Sequence, residues 1–258
     1  MEAKAWRRAA RTGLAALVAG GGSFTLTAGA LSAGALATDP LDGSSLADDS
    51  PAAADGEVEV TFDESERELL SIIATSSTVQ VRASECDGAT LGSGVILDGR
   101  IVTAAHLIPE GADLSAGANS VRLAALDRSI DLAVLDGTTV LDGAVREVRS
   151  TPPVAGEPVL VAGHAAGGPL RVIEASVHHV DIGAVWGLDT EVVVLDRALQ
   201  PGYSGGPVLD RHGRLVGLIH GFDAVSGLSI VVPLPENGLD VDVEPGTATG
   251  RPDCGETG

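Results

Sequence analysis

The chain has 258 residues and a formal net charge of −20 at pH 7, from 16 basic and 36 acidic side chains. So acidic a surface argues against nucleic acid and anionic membrane surfaces as partners, because both carry the same sign of charge. The same charge also keeps a protein soluble, whatever its function. No spacing of cysteine and histidine suggests a metal site. The sequence therefore predicts neither a metal nor a cofactor.

The N-terminal segment has the pattern of a targeting signal. Residues 1–11 are net basic, and residues 12–38 carry no charge. Ala35-Leu36-Ala37 fits the small-x-small rule for signal-peptide cleavage. The apolar stretch is also long enough to span a bilayer. We predict that residues 1–37 are a cleaved signal peptide or a retained membrane anchor. Either one places the remainder outside the cytoplasm, as a secreted or anchored protein.

A linker and a short helix are predicted next. Residues 38–60 are rich in Asp, Ser, Ala, Gly and Pro, and they read as a disordered acidic linker because they offer little apolar surface to bury. Asp63 or Ser65 can then cap a short helix that reaches Ile73, and glutamates in the first turn favour that helix end.

After the helix, the pattern changes to short strands. Asp98-Gly99 predicts a hairpin turn between residues 94–97 and 100–103. Thr151-Pro152-Pro153 breaks the pattern and separates two halves. The other predicted strands cover 78–82, 121–126, 132–135 and 144–148 in the first half, and 158–162, 170–177, 192–195, 208–209, 215–219 and 228–232 in the second. Many short strands between Gly, Pro and Asp turns indicate an all-β barrel or sandwich.

Three motifs carry the chemistry: TAAH at 103–106, DLAVL at 131–135 and GYSGGP at 202–207. A serine hydroxyl needs a base before it can attack an amide, and the base needs an acceptor that orients it. In this order the motifs resemble the active-site motifs of chymotrypsin-fold serine proteases, and their spacing resembles bacterial HtrA-type protease domains. The resemblance covers residues 76–240.

The resemblance implies an all-β fold of two packed six-stranded antiparallel β-barrels. The first barrel is expected at about 76–150 and the second at about 154–240, within a trypsin-like protease domain at 61–240. A tail at 241–258 completes the chain. No PDZ domain is expected, although HtrA-type enzymes commonly carry one.

The resemblance also implies the role of each residue. Ser204 would be the nucleophile, His106 the general base, and Asp131 the carboxylate that orients the imidazole. The backbone N–H groups of Gly202 and Ser204 would form the oxyanion hole. The expected activity is an extracytoplasmic serine endopeptidase that acts on polypeptides by a Ser-His-Asp acyl-enzyme mechanism. Membrane association is expected only through the N-terminal segment.

Specificity is predicted from the residues around the primary pocket. Ala198 aligns with the base of that pocket, so no carboxylate stands there to select arginine or lysine. We expect an uncharged residue, small or apolar, before the scissile bond. His220, Gly221 and Phe222 look like the edge that pairs with the substrate backbone, although Phe222 could instead pack in the core. Gly227 would form the opposite pocket wall.

One position departs from the family pattern, and another is a further candidate for the site. Tyr203 stands where digestive members of the family carry an aspartate that pairs with a newly cut N-terminus. A tyrosine cannot form that ion pair, so activation by N-terminal insertion is not expected. His220 is also a candidate hydrogen-bond donor to Asp131.

The two cysteines are Cys86 and Cys254. In an exported protein, an isolated pair is most simply a disulfide, and two free thiols are the alternative. The bond would tie the first part of the domain to the C-terminal tail. Extracytoplasmic, membrane-associated members of the resembled group connect a first-barrel strand to the C-terminus in a similar way.

Two other functions remain open at this point. The residues around Ser204 also satisfy the G-x-S-x-G pattern of esterases. That fold needs helices between parallel strands and an acid and a histidine after the serine, which the chain order disfavours. The second alternative is a catalytically inactive binding module that uses the same cleft.

Overall fold

The structure is a computed structural model, and it describes residues 61–137, 143 and 145–235. All of these belong to one compact unit, Asp55–Gly258. The predicted signal or anchor, the linker, and the tail with Cys254 lie outside the described residues. Within the part that is described, no helix combines the length and apolar character needed to cross a bilayer.

The helix α1 spans Glu64–Ser77 and begins where the sequence predicts. The carboxylate of Asp63 accepts a hydrogen bond from the amide of Glu66 at 2.8 Å. The side chain of Glu66 accepts one from the amide of Asp63 at 2.9 Å, which completes a capping box. Leu70, two turns into the helix, is fully buried.

The first barrel closes in the strand order β1-β2-β3-β6-β5-β4, and all neighbouring pairs are antiparallel. Asp98 and Gly99 both have positive φ, 51° and 77°, as expected of a two-residue hairpin turn between β2 and β3. The strands are β1 Thr78–Glu85, β2 Gly88–Leu97, β3 Arg100–Ala104, β4 Asp113–Ala116, β5 Asn119–Asp127 and β6 Leu132–Gly137.

The second barrel closes in the order β10-β11-β12-β9-β8-β7, again with antiparallel neighbours. Its strands are β7 Pro158–Gly163, β8 Arg171–Ile182, β9 Glu191–Leu195, β10 Pro207–Leu209, β11 Leu215–Asp223 and β12 Leu228–Val232. The predicted fold class of two six-stranded antiparallel barrels after a short helix is therefore confirmed. Antiparallel barrels also exclude the parallel, helix-alternating fold that the esterase alternative requires.

Two details of the strand prediction were wrong. The strand expected at 144–148 does not form in its described part, residues 145–148, because the chain passes there from one barrel to the other. Val148 makes only an isolated parallel bridge to Leu215. The strand β4 was missed, since its four residues, Asp-Leu-Ser-Ala, are too few and too polar to show an apolar alternation.

The two barrels and the helix share one core. A single buried cluster contains Leu70 of the helix, Val95 and Val102 of the first barrel, and Leu160 and Leu215 of the second. Burial of apolar side chains from both barrels in one cluster fixes the barrels against each other. The loops at their seam are therefore held on a common scaffold.

Candidate active site

His106 and Asp131 are brought together by the pairing of β3 with β6. Ala104 lies opposite Leu132 in that pair, so the residues just beyond β3 meet the residue just before β6. The Nδ1 atom of His106 donates to Oδ2 of Asp131 at 2.8 Å. The backbone N–H of His106 donates to Oδ1 of the same carboxylate at 2.8 Å. These two bonds fix both the position of the imidazole and its tautomer.

Backbone contacts hold the turn that carries His106. This turn is a 3-10 helix, Ala105–Leu107, and the amide of Ala105 donates to the carbonyl of Asp131 at 3.0 Å. The guanidinium of Arg128 donates to the carbonyls of Ala105 at 3.2 Å and Ile108 at 2.9 Å. Sequence reasoning missed Arg128, because nothing in the local sequence tells which carbonyls a surface arginine will meet.

His220 approaches the same carboxylate from the second barrel. Its Nδ1 atom donates to Oδ2 of Asp131 at 2.5 Å, as the sequence suggested for this position. The rings of His106 and His220 stand edge to face, with centroids 5.4 Å apart. His106, Asp131 and His220 each offer one atom that could bind a metal ion, and these three atoms lie within 4.8 Å of one another. The hydrogen bonds to the carboxylate account for this spacing without an ion.

The charge of Asp131 is set by its burial and by these two donors. The side chain is 5% exposed, and burial by itself raises the pKa of a carboxyl group. The hydrogen bonds from His106 and His220 outweigh burial, and they hold the pKa of Asp131 well below its ordinary value of 3.8. The carboxylate is therefore ionised at neutral pH and can stabilise an imidazolium at His106.

Ser204 lies half-buried at the seam, with its hydroxyl directed to His220. The hydroxyl donates to the carbonyl of His220 at 3.3 Å, which is a long hydrogen bond. Among the described residues, no hydrogen bond joins Ser204 to His106. The structure thus assembles His106 with Asp131 and brings Ser204 to His220, the other partner of that carboxylate. Nucleophile and base commonly tighten only when substrate binds.

Two backbone amides beside Ser204 are free to bind an anion. Within the described part of the chain, the N–H groups of Gly202 and Ser204 donate to no acceptor. Gly202 has φ of +99°, and a Cβ there would lie 2.3 Å from the carbonyl oxygen of His164. Only glycine fits this close approach. The expected oxyanion-hole amides are therefore present and unpaired.

Tyr203 is buried against the backbone of the second barrel, with 3% of its surface exposed. A Cβ on Gly163 would stand 2.6 Å from its ring, so the ring packs directly on this glycine. Burial raises the pKa of Tyr203, and the charge of Arg171 offsets part of that effect. The phenol therefore stays neutral.

The residues predicted for the primary pocket lie at one end of the second barrel. Ala198 is exposed, and the buried Ser229 fixes the residues on either side of it. The hydroxyl of Ser229 donates to the carbonyl of Arg197 at 2.7 Å and accepts from the amide of Leu199 at 3.0 Å. Phe222, 44% exposed, lies opposite Ser229 across the β11–β12 pair. Phe222 is thus not a core residue. The role of Ser229 was missed from the sequence.

Gly221 and Gly227 differ in their placement. Gly221 lies within β11 opposite Ile230. Gly227 lies in the turn between β11 and β12 with φ of +71°, and open space surrounds the place where its Cβ would be. The turn accounts for a glycine at this position. The pocket-wall role of Gly227 stays a prediction.

Cys86 lies in the exposed turn between β1 and β2. Its predicted partner, Cys254, is outside the described residues. The disulfide between them therefore stays a prediction.

Residues 92–218 match the family model of the trypsin-like peptidase domain. The chain is 30% identical over 165 residues to serine protease Rv3671c of Mycobacterium tuberculosis, which covers 56% of this chain and 40% of that protein. It is 29% identical over 178 residues to the uncharacterized protein y4bJ of Sinorhizobium fredii, which covers 64% of this chain and 27% of that one. The chain spans less than half the length of these curated relatives.

Solved structures show the same architecture. The active form of the Rv3671c protease from M. tuberculosis matches with a TM-score of 0.61 at 20% identity, over 74% of this chain and 92% of that chain. The HtrA-type protease AlgW with a tripeptide matches with a TM-score of 0.57 at 23% identity, over 65% of this chain and 59% of that one. These matches show that the chain has the chymotrypsin-like serine protease fold, with residues 92–218 similar to the trypsin-like peptidase domain.

Proposed function

We propose that this chain is an extracytoplasmic serine endopeptidase. Ser204 attacks the carbonyl carbon of a peptide bond, and His106 takes the proton of its hydroxyl. The amides of Gly202 and Ser204 receive the negative charge that develops on the carbonyl oxygen. His106 then protonates the leaving amine, and water hydrolyses the acyl-enzyme by the same steps. Asp131 keeps the imidazole in the required tautomer throughout.

One observation carries this proposal. Asp131 holds His106 through both the ring and the backbone, at 2.8 Å each, while the amides of Gly202 and Ser204 are unpaired. Few backbone amides inside a folded protein lack a partner, so the unpaired amides of Gly202 and Ser204 call for a ligand. Acyl transfer uses both these amides and a base with a fixed tautomer.

Covalent labelling of the serine tests the proposal. A fluorophosphonate probe should label the native chain and should not label Ser204→Ala. The matched control is Ser226→Ala, because Ser226 lies in the exposed turn after β11. In this variant the probe should label the protein at the wild-type rate. If the folded wild type is not labelled while a known serine protease is, the endopeptidase assignment is wrong. The catalytically inactive binding module would then replace it.

The specificity proposed for this site is an uncharged residue before the scissile bond. The supporting observation is that Ala198, at the expected pocket base, offers no charge, and that Ser229 holds its neighbours in place. Cleavage of a peptide library should give small or apolar residues at that position. A strict preference for arginine or lysine would contradict the assignment.

The proposed location outside the cytoplasm depends on the predicted signal or anchor at residues 1–37 and on the predicted Cys86–Cys254 disulfide. Closing so long a loop contributes about 4–5 kcal/mol in the chain-entropy model. Mass spectrometry of the non-reduced exported protein, digested and searched for a peptide that joins the two cysteines, tests the pairing. Two alkylated, unlinked cysteines in that sample would refute it.

A further inference from the structure

Ser93, on β2 of the first barrel, is fully buried and has every polar group engaged. Its amide donates to the carbonyl of Ser204 at 2.8 Å, and its carbonyl accepts from the hydroxyl of Thr103 at 2.6 Å. Its own hydroxyl donates to the carbonyl of Gly202 at 2.8 Å and accepts from the amide of His164 at 2.8 Å. This one side chain therefore joins β2, the β7–β8 loop and the loop that carries Ser204.

The carbonyl of Pro201 belongs to the same peptide unit as the N–H of Gly202, and it sets the direction in which that N–H points. The carbonyl of Pro201 accepts a hydrogen bond from the amide of Ala166 at 2.7 Å. In a trans peptide the C=O and N–H groups point in opposite directions. Holding the carbonyl of Pro201 on the side of the β7–β8 loop therefore aims the N–H of Gly202 away from that loop.

The amide of Ser204 is aimed in the same way. The carbonyl of Tyr203 accepts from the amide of Gly206 at 2.8 Å, so the N–H of Ser204 points to the opposite side. Between these two peptides lies a third, Gly202–Tyr203, and its carbonyl is the one that the hydroxyl of Ser93 holds. If this middle peptide rotated, the amides on both sides of it would change direction.

Ser93 also anchors the β7–β8 loop, which contacts the residue before Gly202. The amide of His164 is bound by Ser93, and two residues later Ala166 holds the carbonyl of Pro201. Ala166 has φ of +49°, a left-handed conformation that costs energy in a residue other than glycine. Loss of the Ser93 hydroxyl would therefore release both the middle peptide and the loop that fixes its neighbour.

The geometry points to Ser93 as a positioning residue of the oxyanion hole, which acts by locking the Gly202–Tyr203 peptide so that the amides of Gly202 and Ser204 face the reacting carbonyl. This assignment rests on the proposed endopeptidase function. It differs from a merely structural role for a buried serine, because the affected groups bind charge that exists only in the transition state. Loss of Ser93 should therefore lower kcat and leave KM nearly unchanged.

The test uses Ser93→Ala, and Ser93→Cys as a second variant that keeps the volume but carries a weak hydrogen-bond donor. We expect kcat on a peptide substrate to fall by about 10- to 100-fold. This decrease should not exceed the decrease that follows removal of one complete oxyanion-hole donor. Hydrogen exchange of residues 199–206, followed by mass spectrometry, should become faster in both variants.

The matched control is Ser77→Ala. Ser77 is also fully buried, and its hydroxyl accepts the amide of Val145 at 2.9 Å, but it lies at the end of α1. This control should lose a similar amount of stability, yet keep kcat and the exchange rate of residues 199–206.

Each outcome decides between the assignments. If kcat and exchange in the Ser93 variants match those of Ser77→Ala, or if KM changes and kcat does not, the positioning role is refuted. If exchange becomes faster as expected while the folded wild type shows neither turnover nor labelling, the proposed endopeptidase function fails and the locking role of Ser93 stands. A fall in kcat together with faster exchange supports both.

Discussion

At the scale of single residues, one carboxylate organises the site. Oδ2 of Asp131 accepts from two imidazoles, His106 and His220, that come from different barrels. A Ser-His-Asp mechanism needs only one of these contacts. The second histidine gives the carboxylate an additional donor, so its ionised form is stabilised from both sides of the seam.

Replacement of this carboxylate should remove most of the activity. Asp131→Asn keeps the shape of the side chain, but its amide cannot fix the tautomer of His106 or stabilise the imidazolium. We expect kcat to fall by about 10⁴-fold, with a much smaller change in KM. Steady-state kinetics measure this change. Asp127→Asn, at the partly buried end of β5 four residues earlier, should have nearly wild-type kinetics. A small loss in Asp131→Asn would show that another group orients the base.

The hydrogen bond from His220 to Asp131 should make the stability of the fold depend on pH. The pKa of Asp131 is below its ordinary value of 3.8, so its ionisation stabilises the fold above that pH, and this contribution is lost as the pH falls through the folded-state pKa. His220→Ala removes one donor and raises that pKa. The variant should be less stable than wild type, by a difference that narrows between about pH 5 and about pH 2.

Urea unfolding across this pH range measures the difference. The matched control is His212→Ala, because His212 is exposed and its side chain contacts no described carboxylate. A difference that stays constant with pH would mean that His220 contributes through packing and does not influence the charge of Asp131.

At the scale of secondary-structure elements, the helix α1 closes one side of the barrels without taking part in the site. Leu70 and Ala74 face the common core, while Leu69 and Ile72 are more than half exposed. The capping box at Asp63 fixes where this helix begins. The helix α1 therefore contributes to stability and takes no part in catalysis.

Loss of the cap should destabilise the fold and leave catalysis intact. Asp63→Ala removes one member of the capping box, and we expect the free energy of unfolding to fall by about 1 kcal/mol. Ser65→Ala serves as the control, since Ser65 is exposed in the same first turn without being the cap. Chemical denaturation of both variants measures the effect. If Ser65→Ala were the more harmful change, the helix would begin at a different residue in solution.

At the scale of the whole molecule, a common core joins the two barrels, and a charged contact docks the segment between them on the second barrel. Arg149, in the segment between the barrels, forms an ion pair with Glu157, and its backbone amide donates to the carbonyl of Leu215 at 2.9 Å. Its side chain also lies 3.7 Å from the buried Asp210. The segment between the barrels is therefore docked on the second barrel.

A shared core predicts that both barrels unfold together. Calorimetry should show one transition, with a calorimetric enthalpy equal to the van't Hoff enthalpy. Leu215→Ala, in the shared cluster, should lower the free energy of unfolding by about 2–5 kcal/mol and still give one transition. Ile72→Ala, at an exposed site on the helix, should have little effect. Two separate transitions would show that the barrels are independent.

The sequence by itself determined the strand-rich class, the position of the first helix, and the identity of the three chemical groups. These follow from local signals: a cap at Asp63, apolar alternation, and glycines around Ser204 that a tight turn requires. Local signals failed at residues 145–148, where the partner strand is absent, and at β4, which is too short to show a pattern.

Only the tertiary structure decided which groups meet. The contacts of Arg128, Ser93 and Ser229 join residues that are distant in sequence, and a serine or arginine in a strand or loop gives no local sign of its partner. The second imidazole on Asp131 depends likewise on how β11 meets the first barrel. A hydrogen bond needs its two atoms within about 3 Å in the right direction, and only the packing of one barrel on the other sets those distances.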